Sequence, residues 1–203
     1  MSEAMKSLQE RCGVTADGAF GPNTARAIAL YYNLTEERGA HLLGQAAHES
    51  GGFKLTVENL NYSVATMMRV WSKRFPTEAD AAPYARNPQA LGDKVYGDRM
   101  GNNGEGFKWR GRGFLQLTGR DNYQAFSNDM NLPEVMTDPD CVEDEYAFET
   151  AIWFFERNKL FEIADEGVND DVIKRITRRV NGGYHGLDDR IEKTNQIYRW
   201  LKG

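Results

Sequence analysis

A glutamate that gives up a proton in catalysis needs partial shelter from water and room for a substrate beside it. Glu49, in the segment His48-Glu49-Ser50-Gly51-Gly52, carries sequence marks of both. Leu42, Ala46 and Glu49 fall at i, i+4 and i+7, so on a helix the carboxylate takes the next place of an apolar stripe. A carboxylate there is either paired or set at a cleft, because burying it unpaired is costly. Partial burial raises the pKa of a carboxyl group, as protonation of a leaving oxygen near neutral pH demands. Gly51 and Gly52 lack side chains and leave a bulky polymer free to approach. On position alone, a glutamate salt-bridged to a neighbouring lobe fits equally well. His48 points to a different face and suits packing or capping. His48-Glu49-Ser50 is not the His-Glu-x-x-His zinc motif, since Ser50 to Phe53 supply no second histidine, and neither a metal nor a cofactor is expected.

Activating a water molecule takes a second carboxylate. Glu58 lies nine residues on, in Val57-Glu58-Asn59-Leu60-Asn61-Tyr62-Ser63, beyond two glycines that let the chain fold back across a groove. Two carboxyls roughly 6.5–9.5 Å apart on opposite sides of a sugar would serve an inverting hydrolysis. By spacing alone, Glu58 is also an ordinary solvated loop acid, one of 30 acidic residues.

The densest chemical segment is Phe107-Lys108-Trp109-Arg110-Gly111-Arg112-Gly113-Phe114-Leu115-Gln116-Leu117-Thr118. Aromatic residues beside glycines suit the C–H faces of sugar rings, and amides and hydroxyls suit their polar rims. Gln116 and Thr118 alternate with Leu115 and Leu117, which predicts two hydrogen-bonding side chains on one side and two apolar ones on the other. A nucleotide-binding loop would need a Gly-Lys-Ser/Thr ending and a preceding apolar strand, and both are missing.

The elements that must hold these groups are helical. Leu8 to Leu34 reads as two short helices around a turn, the second capped by Asn23 or Thr24. Thr35 N-caps a helix through Ser50, ended by Gly51-Gly52. Pro76, Pro83 and Pro88 break a secondary lobe at about 64–103 into short helices, and Gly97, Gly101, Gly104, Gly106, Gly111 and Gly113 mark a loop. Asp144 to Asn158, with Phe148, Ile152 and Phe155, is the predicted core helix. Asp171 to Val180 is another, stopped by Asn181-Gly182-Gly183. The last runs from about Asp188 to Leu201, with Ile191, Thr194, Tyr198 and Leu201 on one face. The fold class is mainly α.

Composition narrows the functions further. The 203 residues, 40% hydrophobic and 27% charged, suffice for one substantial core, or one with a smaller lobe beside it. A net charge of −5 argues against a nucleic-acid binder. Cys12 and Cys141 form neither a disulfide framework nor a metal spacing, which suits synthesis in a reducing cytosol. The N-terminus shows no apolar signal region, and no run approaches the ~20 residues that span a bilayer.

In order, His48-Glu49-Ser50-Gly51-Gly52-Phe53, Glu58 to Ser63, Tyr96 to Asn103, Arg110 to Thr118, Asn122-Tyr123 and Val180-Asn181-Gly182-Gly183 resemble glycoside hydrolase family 19, in the compact form of bacteriophage endolysins. The resemblance covers about Thr35 to Tyr198. It implies a lysozyme-like fold in which two helical lobes flank a substrate groove, and a single catalytic domain over 1–203. It implies Glu49 as general acid, Glu58 as general base and Thr118 as holder of the attacking water. Gln116, Asn122 and Asn181 match substrate-contacting positions, and Arg190 the arginine that orients nearby acidic groups. Tyr62 and Trp109 are expected sugar contacts, with core packing an equal alternative for each. Leu8-Gln9 and Asp17 to Thr24 are similar to part of a short peptidoglycan-binding module, but without its full length or a linker.

The expected activity is hydrolysis of the β-1,4 bonds of peptidoglycan strands by a monomer that neither binds nucleic acid nor inserts stably in a membrane. The resemblance implies accumulation in a host bacterial cytoplasm and passage to the wall through a holin lesion. Chitin hydrolysis and lytic transglycosylation are the alternatives. An amidase would have to use Cys12 with His41, His48 or His185, and no motif surrounds Cys12. A non-catalytic wall-binding protein would not need Glu49 on the apolar stripe.

Overall fold

The structure is a computed structural model, and residues 2–203 are described. The chain forms two compact units, one of residues up to Thr56 with Gly113–Gln116 and Asp140–Gly203, the other of Val57–Arg112 with Leu117–Pro139. In the first unit lie α1 (Glu3–Arg11), α2 (Pro22–Tyr31) and α3 (Glu36–Glu49). The second unit holds α4 (Val64–Val70), α5 (Glu78–Ala81), α6 (Pro88–Tyr96), α7 (Arg120–Met130) and α8 (Glu134–Thr137), with a 3-10 turn at Ala82–Tyr84. The chain then returns to the first unit as α9 (Cys141–Asp144), α10 (Glu149–Arg157), α11 (Leu160–Ala164), α12 (Asp170–Asn181) and α13 (Leu187–Lys202). Among the described residues there is no extended strand, only isolated bridges at Val57–Arg112 and Arg112–Leu117, so the mainly α expectation holds. No helix among them is long and apolar enough to cross a membrane.

Local chemistry sets the bounds of α3. Thr35 accepts from the Arg38 amide at 3.2 Å, Glu36 and Glu37 occupy the first turn, and Gly51 (φ 59°) and Gly52 (φ 76°) turn the chain away. At α2 the capping expectation is corrected: Gly21 is the N-cap and Pro22 opens the helix, as proline's fixed φ allows. The flagged turn from Asp17 to Thr24 is organised around buried Gln9. Its amide nitrogen donates to Asp17, to the Ala19 carbonyl and to Thr24 at 2.9–3.0 Å, and its oxygen accepts from the Gly18 amide at 2.8 Å.

The core of the first unit gathers Met5 and Leu8 of α1, Ile28 of α2, Leu42, Leu43 and Ala46 of α3, and Ala151, Ile152 and Phe155 of α10. Through its centre α3 and α13 cross closely. A Cβ on Gly44 would stand 2.2 Å from the Thr194 hydroxyl and 3.0 Å from its Cα, so a larger side chain there would force the helices apart. The buried stripe of α13 is Arg190, Thr194 and Ile197 rather than the Ile191-Thr194-Tyr198-Leu201 face read from sequence. Arg190 turns inward because it has an anionic partner there. The second unit has a separate core of Leu60, Met67, Phe75, Ala81, Leu91 and Val95.

Candidate active site

Glu49 is the last residue of α3, and its side chain keeps 27% of its surface exposed. Of the two fates open to a carboxylate on an apolar stripe, it has both. It lines a pocket of about 260 Å³ with Leu115, Gln116, Phe154, Val180 and Asn181, and it is paired with Arg190. That volume lies just under the roughly 300–1,000 Å³ of whole-ligand sites and is the size of a subsite.

Arg190, 1% exposed, reaches Glu49 from α13. One terminal nitrogen donates to Glu49 Oε1, the other to Gln45 Oε1, and Nε donates to the His185 carbonyl at 3.1 Å. Gln45 in turn donates to the Thr177 hydroxyl of α12 at 3.0 Å. The relay therefore runs from α12 through α3 to α13 and back to Glu49, with each guanidinium nitrogen bonded to an acceptor. Glu49 Oε2 takes no hydrogen bond among the described residues.

Asn181 closes the pocket from the end of α12. Its amide donates to the same His185 carbonyl at 3.1 Å, and its oxygen accepts from the Gly183 amide at 2.8 Å. His48 lies beneath this loop. Its Nδ1 is 2.5 Å from Asp189, and a Cβ on Gly186 would come within 2.1 Å of its ring. Expected to pack or cap, His48 both packs under Gly186 and bonds Asp189 at the start of α13. Lys193 and then His48 hold the Asp189 carboxyl below the usual aspartate range.

The segment from Arg112 to Leu117 departs from the alternation expected of it. It is a tight turn closed by reciprocal amide bonds between Arg112 and Leu117 at 3.0 and 2.7 Å, with Gln116 at φ 51°. Left-handed backbone breaks the period of two, so Leu115 and Gln116 both line the Glu49 pocket while Leu117 is buried.

Glu58 belongs to the second unit. Tyr96 at the end of α6 donates to its Oε1 at 2.6 Å, the Gly111 amide lies 3.4 Å from its Oε2, and its own amide donates to the Gly111 carbonyl at 2.9 Å. Burial first, and then the Glu58 carboxylate, push the Tyr96 hydroxyl far above the usual tyrosine value, so it stays a donor. Thr118 and Asn122 come together in the same unit, the Asn122 amide donating to the Thr118 carbonyl at 2.8 Å. Tyr62, half-buried, stacks on Trp71 with centroids 5.2 Å apart.

Trp109 is a correction. At 1% exposure, edge-on to Tyr123 with centroids 5.3 Å apart, it is core of the second unit and not a sugar contact. Cys12 offers no nucleophile for an amidase, since burial pushes its thiol up to about 11. Two partners were missed from sequence. Gln45 stands one turn before Glu49, a spacing that could have revealed it, and Tyr96 fell within a matched segment without a role.

Glu49, held by a buried arginine, thus lines a small pocket of three polar and three apolar residues. No family model matches the chain. It is 38% identical over 170 residues to a glycosyl hydrolase family 19 domain-containing protein of Haemophilus influenzae, a match that spans 80% of this chain and 77% of that protein. A shorter match, 36% identical over 80 residues, joins 38% of this chain to 26% of an endochitinase of Arabidopsis thaliana. The chain belongs to glycoside hydrolase family 19 and is a glycoside hydrolase.

Proposed function

We propose that the chain hydrolyses the β-1,4 glycosidic bonds of peptidoglycan with inversion, as an endolysin. The observation that carries the acid assignment is the hold of Arg190 on Oε1 of Glu49 in the pocket lining, which fixes the carboxyl group that delivers the proton. Glu49 gives that proton to the glycosidic oxygen as the C1–O bond breaks. Glu58 takes a proton from a water positioned by Thr118, and the water oxygen bonds to C1 from the opposite face. The charge left on Glu49 then lies beside the Arg190 guanidinium, a fixed electrostatic partner for the product side of the step. Gln116 and Asn181 hold the N-acetylated sugar at the pocket rim, and Tyr62 and Asn122 contribute further along the strand. The endolysin role, with passage to the wall through a holin lesion, rests on the likeness of the ordered motifs to compact phage enzymes.

Chitin is the second reading, favoured by the match to a plant endochitinase. The test is mass spectrometry of digested peptidoglycan and chitin, with Glu49→Gln as control. Reducing N-acetylmuramic acid ends, and at least a ~10²-fold loss in the variant, are expected. Anhydro ends would indicate a transglycosylase, and full activity of Glu49→Gln would remove the acid assignment.

A further inference from the structure

The outer face of α12 carries charge that the site described above does not use. At about 100° per residue, Lys174, Arg178 and Asn181 fall at i, i+4 and i+7 on one stripe. Val172 and Ile176 form the opposite, buried side. Asn181 lines the Glu49 pocket, so the stripe begins at the pocket and runs roughly 10 Å along the helix from it.

These cations lack counter-charges. Neighbouring Arg175 is neutralised by Glu166 at 2.5 and 2.8 Å and by Asp171 at 3.9 Å. Lys174, Arg178 and Arg179 are exposed and form no ion pair among the described residues. The Lys174 ammonium lies 5.3 Å from the centroid of Tyr184, a ring 46% exposed in the loop that follows Asn181. Arg178 and Arg179, with Arg175 and Ile163, line a hollow of about 320 Å³. The helix dipole accounts for arginines in the last turn, but not for Lys174 in mid-helix or for an exposed tyrosine under it. In a chain of net charge −5, so local a run of unpaired cations marks a place for an anion.

We propose that Lys174, Arg178 and Tyr184 recognise the carboxylates of peptide branches on the glycan, so that the enzyme selects an anionic, peptide-bearing strand over a neutral one. The inference rests on the reading of the Glu49 pocket as the cleavage site. A guanidinium meets a carboxylate through a two-point fork, and the tyrosine offers apolar surface to the branch beside it. Rim charges of this kind act on encounter and selectivity and are screened by salt.

The test compares wild type with Lys174→Gln/Arg178→Gln on intact peptidoglycan, on the same strands freed of peptides by an amidase, and on chitin oligosaccharides. Both positions are exposed, so the variant should melt as wild type does. About tenfold lower kcat/KM on intact peptidoglycan, with less than about twofold change on the other two substrates, is the expected result. The wild-type preference for intact strands should shrink between about 0.01 and 0.15 M salt, as the screening length falls from ~30 to ~8 Å. Equal losses on all three substrates, or none on intact strands, would overturn the inference and leave the pocket reading standing. Failure of wild type to cleave any of the three would bring down that reading and this one with it. Loss of binding to phosphatidylglycerol vesicles, without loss on intact strands, would assign the stripe to a membrane surface and also overturn it.

Discussion

Replacing Arg190 by methionine tests the central relay most directly. The arginine side chain is 2% exposed and the Glu49 side chain 27%, so the variant strands one carboxylate that water partly reaches. It also leaves Gln45 Oε1, on a residue with no exposed surface, and the His185 carbonyl short of a donor. Breaking a fully buried pair costs about 3–5 kcal/mol, and discounting for the wet side of Glu49 brings this to about 2–3 kcal/mol. For a chain of this length that is a Tm lower by about 4–12 °C. Thermal unfolding at neutral pH of wild type, Arg190→Met, Glu49→Gln and the double variant measures it. Because the cost lies in an uncompensated charge, Glu49→Gln should recover about 1 kcal/mol or more in the double variant. Well below the melting range, kcat of Arg190→Met should fall about 10- to 100-fold while KM changes little, as loss of positioning would have it. A Tm within about 2 °C of wild type, or strictly additive effects, would refute the pairing as the element that holds the acid.

Two other expectations follow from the same reasoning. His41 is buried with Nε2 3.1 Å from the Gly167 carbonyl, and burial, the largest influence, holds its pKa below the ordinary value. The unfolded chain takes up a proton near pH ~6.5 and the folded chain only lower, so this contribution is complete above ~6.5 and lost as pH falls toward the folded value. The Tm should therefore drop between about pH 7 and 5, and by less in His41→Gln; parallel slopes would exclude His41 as the cause. Tyr96→Phe removes the 2.6 Å bond to Glu58. A hydrogen bond to a charged group is worth about 1.5–3 kcal/mol, so a kcat at least ~10-fold lower at similar KM is expected, and an unchanged rate would detach Tyr96 from the reaction.

What could be read from sequence was chemistry that acts within a few residues. Thr35 as a cap, the glycines after Glu49 and the stop after Asn181 all depend on neighbours along the chain, and the helices end where those residues stand. The apolar stripe placed Glu49 correctly at the end of α3, but not what it would meet there, because Arg190 is 141 positions away. The start of α10 slipped for a related reason. The Ala147 carbonyl accepts from the distant Phe114 amide at 2.9 Å and from the Thr150 hydroxyl at 2.8 Å, so the regular helix begins only at Glu149. Trp109 misled because an aromatic beside glycines looks the same in a core as in a sugar site. The alternation from Leu115 to Thr118 misled because a single left-handed residue, Gln116, undoes a strand pattern that side-chain types alone cannot distinguish from a turn.

The His185 carbonyl accepts both the Arg190 and the Asn181 bonds, and this main-chain atom is available from any amino acid at that position. Position 185 should accordingly accept a wide range of side chains in a saturation library. Lengthening or shortening the loop between Gly182 and Gly186 by one residue would displace the oxygen and unseat arginine and asparagine together. The tolerance map of this loop is thus inverted: permissive to residue type, intolerant of length.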